Sequence, residues 1–339
     1  MTITTVTGYT PPPELIERLQ GVERPILLTH IYPDGDAVGS DLGLYRGLKR
    51  LGKNPRLLTT HPAPEKFAFL DPEGVVEVVE GDPTPEVYQA FEDADAIVIL
   101  DTSDLDRLGR LREPVESVER PRWVIDHHLG HDPASFDLVW AETSSPATGN
   151  LVLEVLRSLG VELDPTLTEP LLVALGTDTG WFKFSNASAV AFRAAAAMVE
   201  GGAAPEEVYG AVFETSSLRR TQLLGELLAG ADTASEGRVA YAILRREMLE
   251  RRGVGYEETD GFIDSLKGVA GVQIAFLLVE LSPGRFKVSL RSKGSVEIHT
   301  IAESHGGGGH AKAAGFRIEG NEDEVLRSVL QATEEVLGR

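Results

Sequence analysis

From His30 to Ser40 the chain reads HIYPDGDAVGS, so one glycine-containing loop carries an imidazole and the carboxylates of Asp34 and Asp36. These groups can point inward together and ligate a divalent cation. Carboxylate oxygens suit Mg2+ and Mn2+, and imidazole shifts the preference towards Mn2+ or a similar transition metal. Taken alone, an Asp-Gly-Asp loop is as readily a simple turn, because these residues favour turns and caps for local reasons. Two further segments tilt the balance. AIVILDTSD sets Asp101 directly after an apolar run, and RWVIDHH sets Asp126, His127 and His128 after another. A fourth segment, LTEPLLVALGTDTG, brings in Asp178 where an apolar stretch gives way to glycine. Several carboxylates gathered in one crevice would repel one another without cations, and bound metal is the simplest neutraliser. Isolated histidines such as His61 and His131 read as surface or satisfied residues, whereas Asp-His-His after a strand offers two imidazoles and a carboxylate at one place.

Among the chemistry open to such a cluster is hydrolysis of a phosphorylated substrate by metal-activated water. Two divalent ions roughly 3.5–4 Å apart can lower the pKa of a bridging water and clamp the attacking and leaving oxygens of an in-line displacement. No protein nucleophile is then needed. That fits a chain without cysteine and without a GxSxG elbow, which a serine hydrolase would use.

The elements that must position these groups follow from hydropathy. Pro25 to Thr29, Ala96 to Leu100 and Trp123 to Ile125 read as buried strands. Helical patterns follow at Leu42, Leu44, Tyr45 and Leu48, and again at Gly149 to Leu159. Repeated strand, loop and helix units imply a doubly wound α/β domain with a mainly parallel sheet, in which ligands bind beyond the carboxyl ends of the strands. The candidate ligands sit there. From about Ser188 to Gly230 the pattern is helical and reads as a connector. RVAYAIL, GVQIAFLLVEL and RFKVSLRS then read as strands, with a hairpin turn at Pro283 and Gly284. The expected division is 1–190 for the catalytic domain, 191–230 for the helical connector and 231–339 for a smaller α+β substrate-binding domain. At 339 residues the chain is long enough for two cores.

Gly306, Gly307, Gly308 and Gly309 precede His310 in the second domain. A linker would also be glycine-rich, but strong patterns flank this run and a histidine ends it. Backbone amides of glycines can approach a phosphate closely, and the following AKAAG reads as a helix start whose positive end favours anions. The expectation is a nucleotide-phosphate cradle.

Composition limits the partners. With 53 acidic against 32 basic side chains the formal net charge is −21, which disfavours long duplex DNA because such binding needs many Lys or Arg contacts. A small phosphorylated substrate stays open, since bound cations dominate the local field. No stretch approaches the roughly 20 apolar residues of a membrane span, and no basic leader precedes an apolar run, so the chain reads as cytoplasmic with no membrane partner.

HIYPDGDAVGS, DTSD, DHH and GTDTGWFKFSN, in that order, resemble the DHH superfamily of phosphoesterases, and SLRSKG with AESHGGGGHAKAAGF resembles the superfamily's associated C-terminal domain. The likeness covers nearly the whole chain. Within the superfamily, the compact layout and the TDTG block are most similar to the NrnA-type oligoribonucleases. The resemblance implies one metal held by His30, Asp34 and Asp101 and a second by Asp36, Asp101, His127 and Asp178, with Asp101 bridging. It implies that Asp126 orients the DHH segment and that His128 lies near the scissile phosphate. Arg291, with Ser289 and His310, would grip a substrate phosphate. The implied activity is Mn2+-dependent, with two ions per site and Mg2+ or Co2+ as possible substitutes. It degrades short oligoribonucleotides and linear dinucleotides such as pApA, acts on short DNA as a further candidate, and dephosphorylates 3'-phosphoadenosine 5'-phosphate. A homodimer is expected. Competing readings are a soluble cyclic-dinucleotide phosphodiesterase, a pyrophosphatase using the same metal chemistry, and a non-catalytic nucleotide sensor.

Overall fold

The computed structural model describes residues 6–128, 130 and 133–338, so His131 lies outside the described residues. The chain forms two compact units, Met1–Thr215 and Ser216–Arg339. In the first, β1 (Pro25–Leu28), β2 (Arg56–Thr59), β3 (Val76–Val78), β4 (Ala96–Leu100), β5 (Arg122–Asp126) and β6 (Leu138–Ala141) form one sheet in the order β3-β2-β1-β4-β5-β6. Every pairing in it is parallel. A parallel sheet is covered on both faces, which explains why β1 and β4 are apolar and buried along their whole length. Leu27, Val98 and Ile125 enter the core on one face, and Ile26, Ile97 and Val124 enter the core on the other.

Strand order reverses between β1 and β4. This switch point opens a crevice at the carboxyl ends of the strands, the place where doubly wound folds bind ligands. The helices Gly35–Arg50 and Pro165–Asp178 pack closely on one face of the sheet. Their approach depends on glycine: a Cβ at Gly39 would stand 2.1 Å from the Pro170 carbonyl oxygen. That contact holds the start of one helix and the end of the other at the same rim of the sheet.

The second unit is a mixed sheet in the order β11-β12-β10-β9-β8-β7. Its strands are β7 (Asp232–Ala234), β8 (Val239–Leu244), β9 (Ile274–Ser282), β10 (Arg285–Ser292), β11 (Gly308–His310) and β12 (Ala313–Glu319). β8 and β9 run parallel, and the other neighbours are antiparallel. The β9–β10 hairpin turns at Pro283 and Gly284, where Gly284 has φ 73°.

Two details differ from the sequence reading. The helices of 191–230 are divided between the units: Ala189–Glu200 and Pro205–Phe213 bury Met198, Val208 and Val212 in the first core, while Leu218–Ala229 buries Leu223 and Leu227 in the second. The AKAAG segment is no helix start. Its alanines pair in β12, with Ala314 and Phe316 buried on one face, so strand pairing and burial outweigh the helix propensity of alanine. Among the described residues no helix is long and apolar enough to cross a membrane.

Candidate metal centre and substrate groups

The crevice residues are delivered by strand ends. His30 lies just past β1, Asp101 just past β4, and Asp126 closes β5 with His127 and His128 behind it. Asp34 caps the helix Gly35–Arg50, its Oδ1 accepting from the amides of Asp36 (3.1 Å) and Ala37 (3.2 Å). Asp36 falls in the first turn of that helix, and Asp178 ends the helix Pro165–Asp178. Asp101 adopts φ 60°, a left-handed conformation that costs a non-glycine residue about 1–3 kcal/mol and persists where its surroundings demand it.

Asp101 faces both ways. Its Oδ2 is 3.4 Å from His30 Nε2, and its Oδ1 is 3.6 Å from His127 Nε2. His127 Nε2 also lies 3.5 Å from Asp36 Oδ2 and 3.3 Å from Asp178 Oδ2. Donor atoms thus gather in three overlapping sets among the described residues, His30 with Asp34 and Asp101, Asp36 with His127 and Asp178, and Asp101 with His127 and His128, each within 4.8 Å. The imidazoles are aimed by backbone carbonyls: His30 Nδ1 is 2.8 Å from the Ile31 oxygen and His127 Nδ1 is 3.2 Å from the Ser145 oxygen. A carbonyl only accepts, so each Nδ1 carries a proton and each Nε2 faces the carboxylates.

That geometry is short of positive charge. His127 Nε2 is buried without a hydrogen-bond partner. Burial pushes the Asp178 carboxyl up to about 9, with the charges of Asp36 and Asp34 adding to it. Asp101 is pushed well above the usual carboxylate range by burial and then by Asp36, Asp34, Asp178 and Asp126. Burial likewise raises Asp36, against the opposing pull of His127, and lowers His30. An imidazole nitrogen among carboxylates that resist ionising is the donor set a divalent cation satisfies. The residues fit a divalent metal site.

Supporting contacts were not legible in the sequence. Asp36 accepts from the Thr148 amide (2.6 Å), the Gly149 amide (2.9 Å) and the Ser40 hydroxyl (3.0 Å). The Thr148 hydroxyl donates to Asp101 Oδ1 at 2.9 Å. The start of the helix Thr148–Ser158 therefore braces two of the clustered carboxylates at once, and the only sequence signal was a turn before a helix at the sheet's carboxyl rim.

This arrangement has counterparts. Residues 25–177 match the model of the DHH family, N-terminal domain, and residues 236–339 match the DHHA1 domain. The bifunctional oligoribonuclease and PAP phosphatase NrnA of Thermus thermophilus is 33% identical over 333 residues, spanning 95% of this chain and 93% of that protein. This chain belongs to the DHH family of phosphoester hydrolases. The protein of the same name from Bacillus subtilis is 27% identical, over 90% of this chain and 92% of its own. A similar fold is also seen in an exopolyphosphatase-related protein from Bacteroides fragilis, with a TM-score of 0.85, 23% identity and 95% coverage of both chains. Exonuclease RecJ bound to manganese gives a TM-score of 0.53 at 17% identity, covering 99% of this chain and 95% of that one.

The DHH segment that names the family is held by Asp126. Its Oδ1 accepts from the amides of His127 (2.7 Å) and His128 (3.0 Å) and lies 2.8 Å from His128 Nδ1. The bond to Asp126 raises the His128 imidazole against the opposing effect of burial. Burial would raise Asp126 in turn, but hydrogen bonds from the His128 side chain and amide and from Ser103 outweigh it and hold the carboxyl below its usual range.

In the DHHA1 unit, Ser289 and Arg291 line a cavity of about 240 Å³ together with Lys287 and Tyr256. Gly306 to His310 are not among its lining residues. They stand across the sheet: Ala313 pairs with Arg291 on one side and His310 on the other, and Gly315 pairs with Ser289 and Gly308. Paired residues share a face, so Arg291 and His310 flank a floor of alanine and glycine. The glycines also have a packing duty. A Cβ on Gly307 would stand 2.3 Å from the Gly315 oxygen, and one on Gly309 would stand 2.5 Å from the Ala313 oxygen.

Proposed function

We propose that this DHH protein is a Mn2+-dependent hydrolase that degrades short oligoribonucleotides and linear dinucleotides such as pApA to mononucleotides, and that it removes the 3'-phosphate of 3'-phosphoadenosine 5'-phosphate. The observation that carries the proposal is Asp101, whose two oxygens face His30 and His127 on opposite sides. The names of the Thermus thermophilus and Bacillus subtilis relatives support the substrate class.

Two divalent cations, when bound, supply the Lewis acidity that activates water and offsets phosphate charge. His30, Asp34 and Asp101 would hold one, and Asp36, Asp101, His127 and Asp178 the other. Mn2+ ranks before Mg2+ or Co2+ because the set mixes imidazole with carboxylate. Thr148, Gly149 and Ser40 keep Asp36 and Asp101 in place. With Nδ1 held by Asp126, His128 would keep a proton more readily than a free imidazole and leave Nε2 for the substrate. It would hydrogen-bond the phosphate or give that proton to the departing oxygen. Arg291, Ser289 and His310 would bind a substrate phosphate other than the reacting one, which directs binding energy to positioning.

The test is one panel with Mn2+: pApA, 3'-phosphoadenosine 5'-phosphate, longer RNA, cyclic dinucleotides and pyrophosphate. Release of AMP from pApA ahead of the other substrates is expected. Turnover of pyrophosphate alone, or nucleotide binding without turnover, would overturn the proposal.

A further inference from the structure

Tyr32 sits between two of the clustered metal-site residues, His30 and Asp34, and is used by neither the hydrolytic arrangement nor the core. Its side chain is 71% exposed, so burial does not hold it in place. Its backbone has φ 53°, a left-handed conformation unusual for a bulky residue. Neighbours fix that strained loop: the Ile31 amide donates to the Arg107 carbonyl at 2.7 Å, and His30 Nδ1 meets the Ile31 carbonyl at 2.8 Å. The result is a phenol ring placed over the imidazole of His61, with centroids 3.9 Å apart and planes inclined by 34°.

His61 is itself anchored. It follows β2, the neighbour of β1 in the sheet, so it emerges at the same carboxyl rim. Its ring Nδ1 lies 3.0 Å from the Thr60 hydroxyl, and its carbonyl accepts from the Thr59 hydroxyl at 3.0 Å. Along the rim the order is His61 after β2, then His30, Asp34 and Asp36 after β1, Asp101 after β4, and the DHH segment at β5. The tilted ring pair therefore borders the metal cluster on its β2 side, with most of the Tyr32 side chain in water.

We propose that Tyr32, backed by His61, is a stacking platform for the nucleobase of the nucleotide whose phosphate is cleaved, and so lets the site tell nucleotides from bare phosphates. This rests on the function proposed above. An exposed aromatic ring with a fixed backing offers a π-face to any base, and such stacking tolerates sequence because every base has one. The backing ring restricts how Tyr32 can turn, so less freedom is lost when a base arrives. Purines, having the larger face, would gain more than pyrimidines.

The probes are AMP and ribose 5-phosphate, which share a phosphate and differ by the base, titrated calorimetrically into the full chain with Mn2+. Wild type should bind AMP at least about ten-fold more tightly than ribose 5-phosphate, the scale of one base–aromatic stack. Tyr32→Ala should bring the two affinities together by weakening AMP alone, Tyr32→Phe should keep the difference, and His61→Ala should reduce it. Full discrimination retained in Tyr32→Ala, or none in wild type, overturns the platform. Should Tyr32→Ala lose Mn2+ binding through loop distortion, Tyr32→Leu decides, since it keeps bulk and loses the π-face. AMP discrimination with no turnover of pApA would sink the proposed activity while leaving the platform standing.

Discussion

His128 Nδ1 lies 2.8 Å from Asp126 Oδ1, and that same oxygen receives the amides of His127 and His128. One carboxylate oxygen thus sets both the path of the DHH segment and the direction of the second imidazole. Asp126→Asn keeps the size but offers an amide that binds His128 less strongly. Hydrolysis of pApA should fall by about 10–100-fold, the usual cost of losing a partner that orients a site histidine. His128 should also titrate at lower pH in an NMR experiment, because its raised imidazole owes most to this bond. Unchanged kcat and an unchanged His128 titration would remove Asp126 from this role.

Asp101→Ala should abolish hydrolysis and cut Mn2+ stoichiometry from two ions to at most one. The side chain is buried and its oxygens face both His30 and His127, so no neighbour can replace it. The Ser216–Arg339 unit has its own cores and should remain folded by circular dichroism and limited proteolysis. Turnover above a few per cent of wild type would sink the bridging assignment.

Excess EDTA should stop hydrolysis, and Mn2+ should restore it better than Mg2+, because His30 and His127 offer nitrogen lone pairs that Mg2+ accepts less readily. Activity undiminished in chelator would exclude the metal reading.

Without metal, the carboxylate cluster should weaken the fold at high pH. Asp36, Asp101 and Asp178 have folded pKa values above their unfolded ones, so their contribution is complete below the unfolded value and is lost as pH rises through the folded value, about 9 for Asp178. The Tm of chelated protein should therefore rise as pH falls from about 9 to about 6, and Mn2+ should raise Tm most at the alkaline end. Thermal scans with and without Mn2+ across that range check it. A chelated protein whose Tm falls steadily over that descent contradicts the sign.

Arg291→Ala should cut kcat/KM for pApA by ten-fold or more while sparing an activated minimal phosphodiester that carries no second phosphate. Losing a charged partner costs ~2–5 kcal/mol when the other charge is left buried, and less where water enters. Arg291 is partly open to water, so the lower end applies. His310→Ala, across the Ala313 floor, should act in the same direction. Equal losses on both substrates would move Arg291 into the metal site or the fold.

Much of this protein was legible in its sequence, because the decisive features are local. Apolar runs ending in Asp101 and Asp126 announce buried parallel strands whose carboxyl ends face a crevice, and polar residues at such ends have few roles except ligand binding. The DHH-type blocks carried the family and the fold class. The sequence could not show what depends on contacts between distant segments. That Asp101 turns one oxygen to His30 and the other to His127, that Thr148 and Gly149 brace the cluster, and that Tyr32 rests on His61 follow from the sheet order and from close helix packing at Gly39. The AKAAG segment shows the limit most plainly. Its alanines favour a helix in isolation, but only the folded sheet supplies β10 and β11 as hydrogen-bonding neighbours and a core for Ala314 and Phe316, and that pairing makes it a strand.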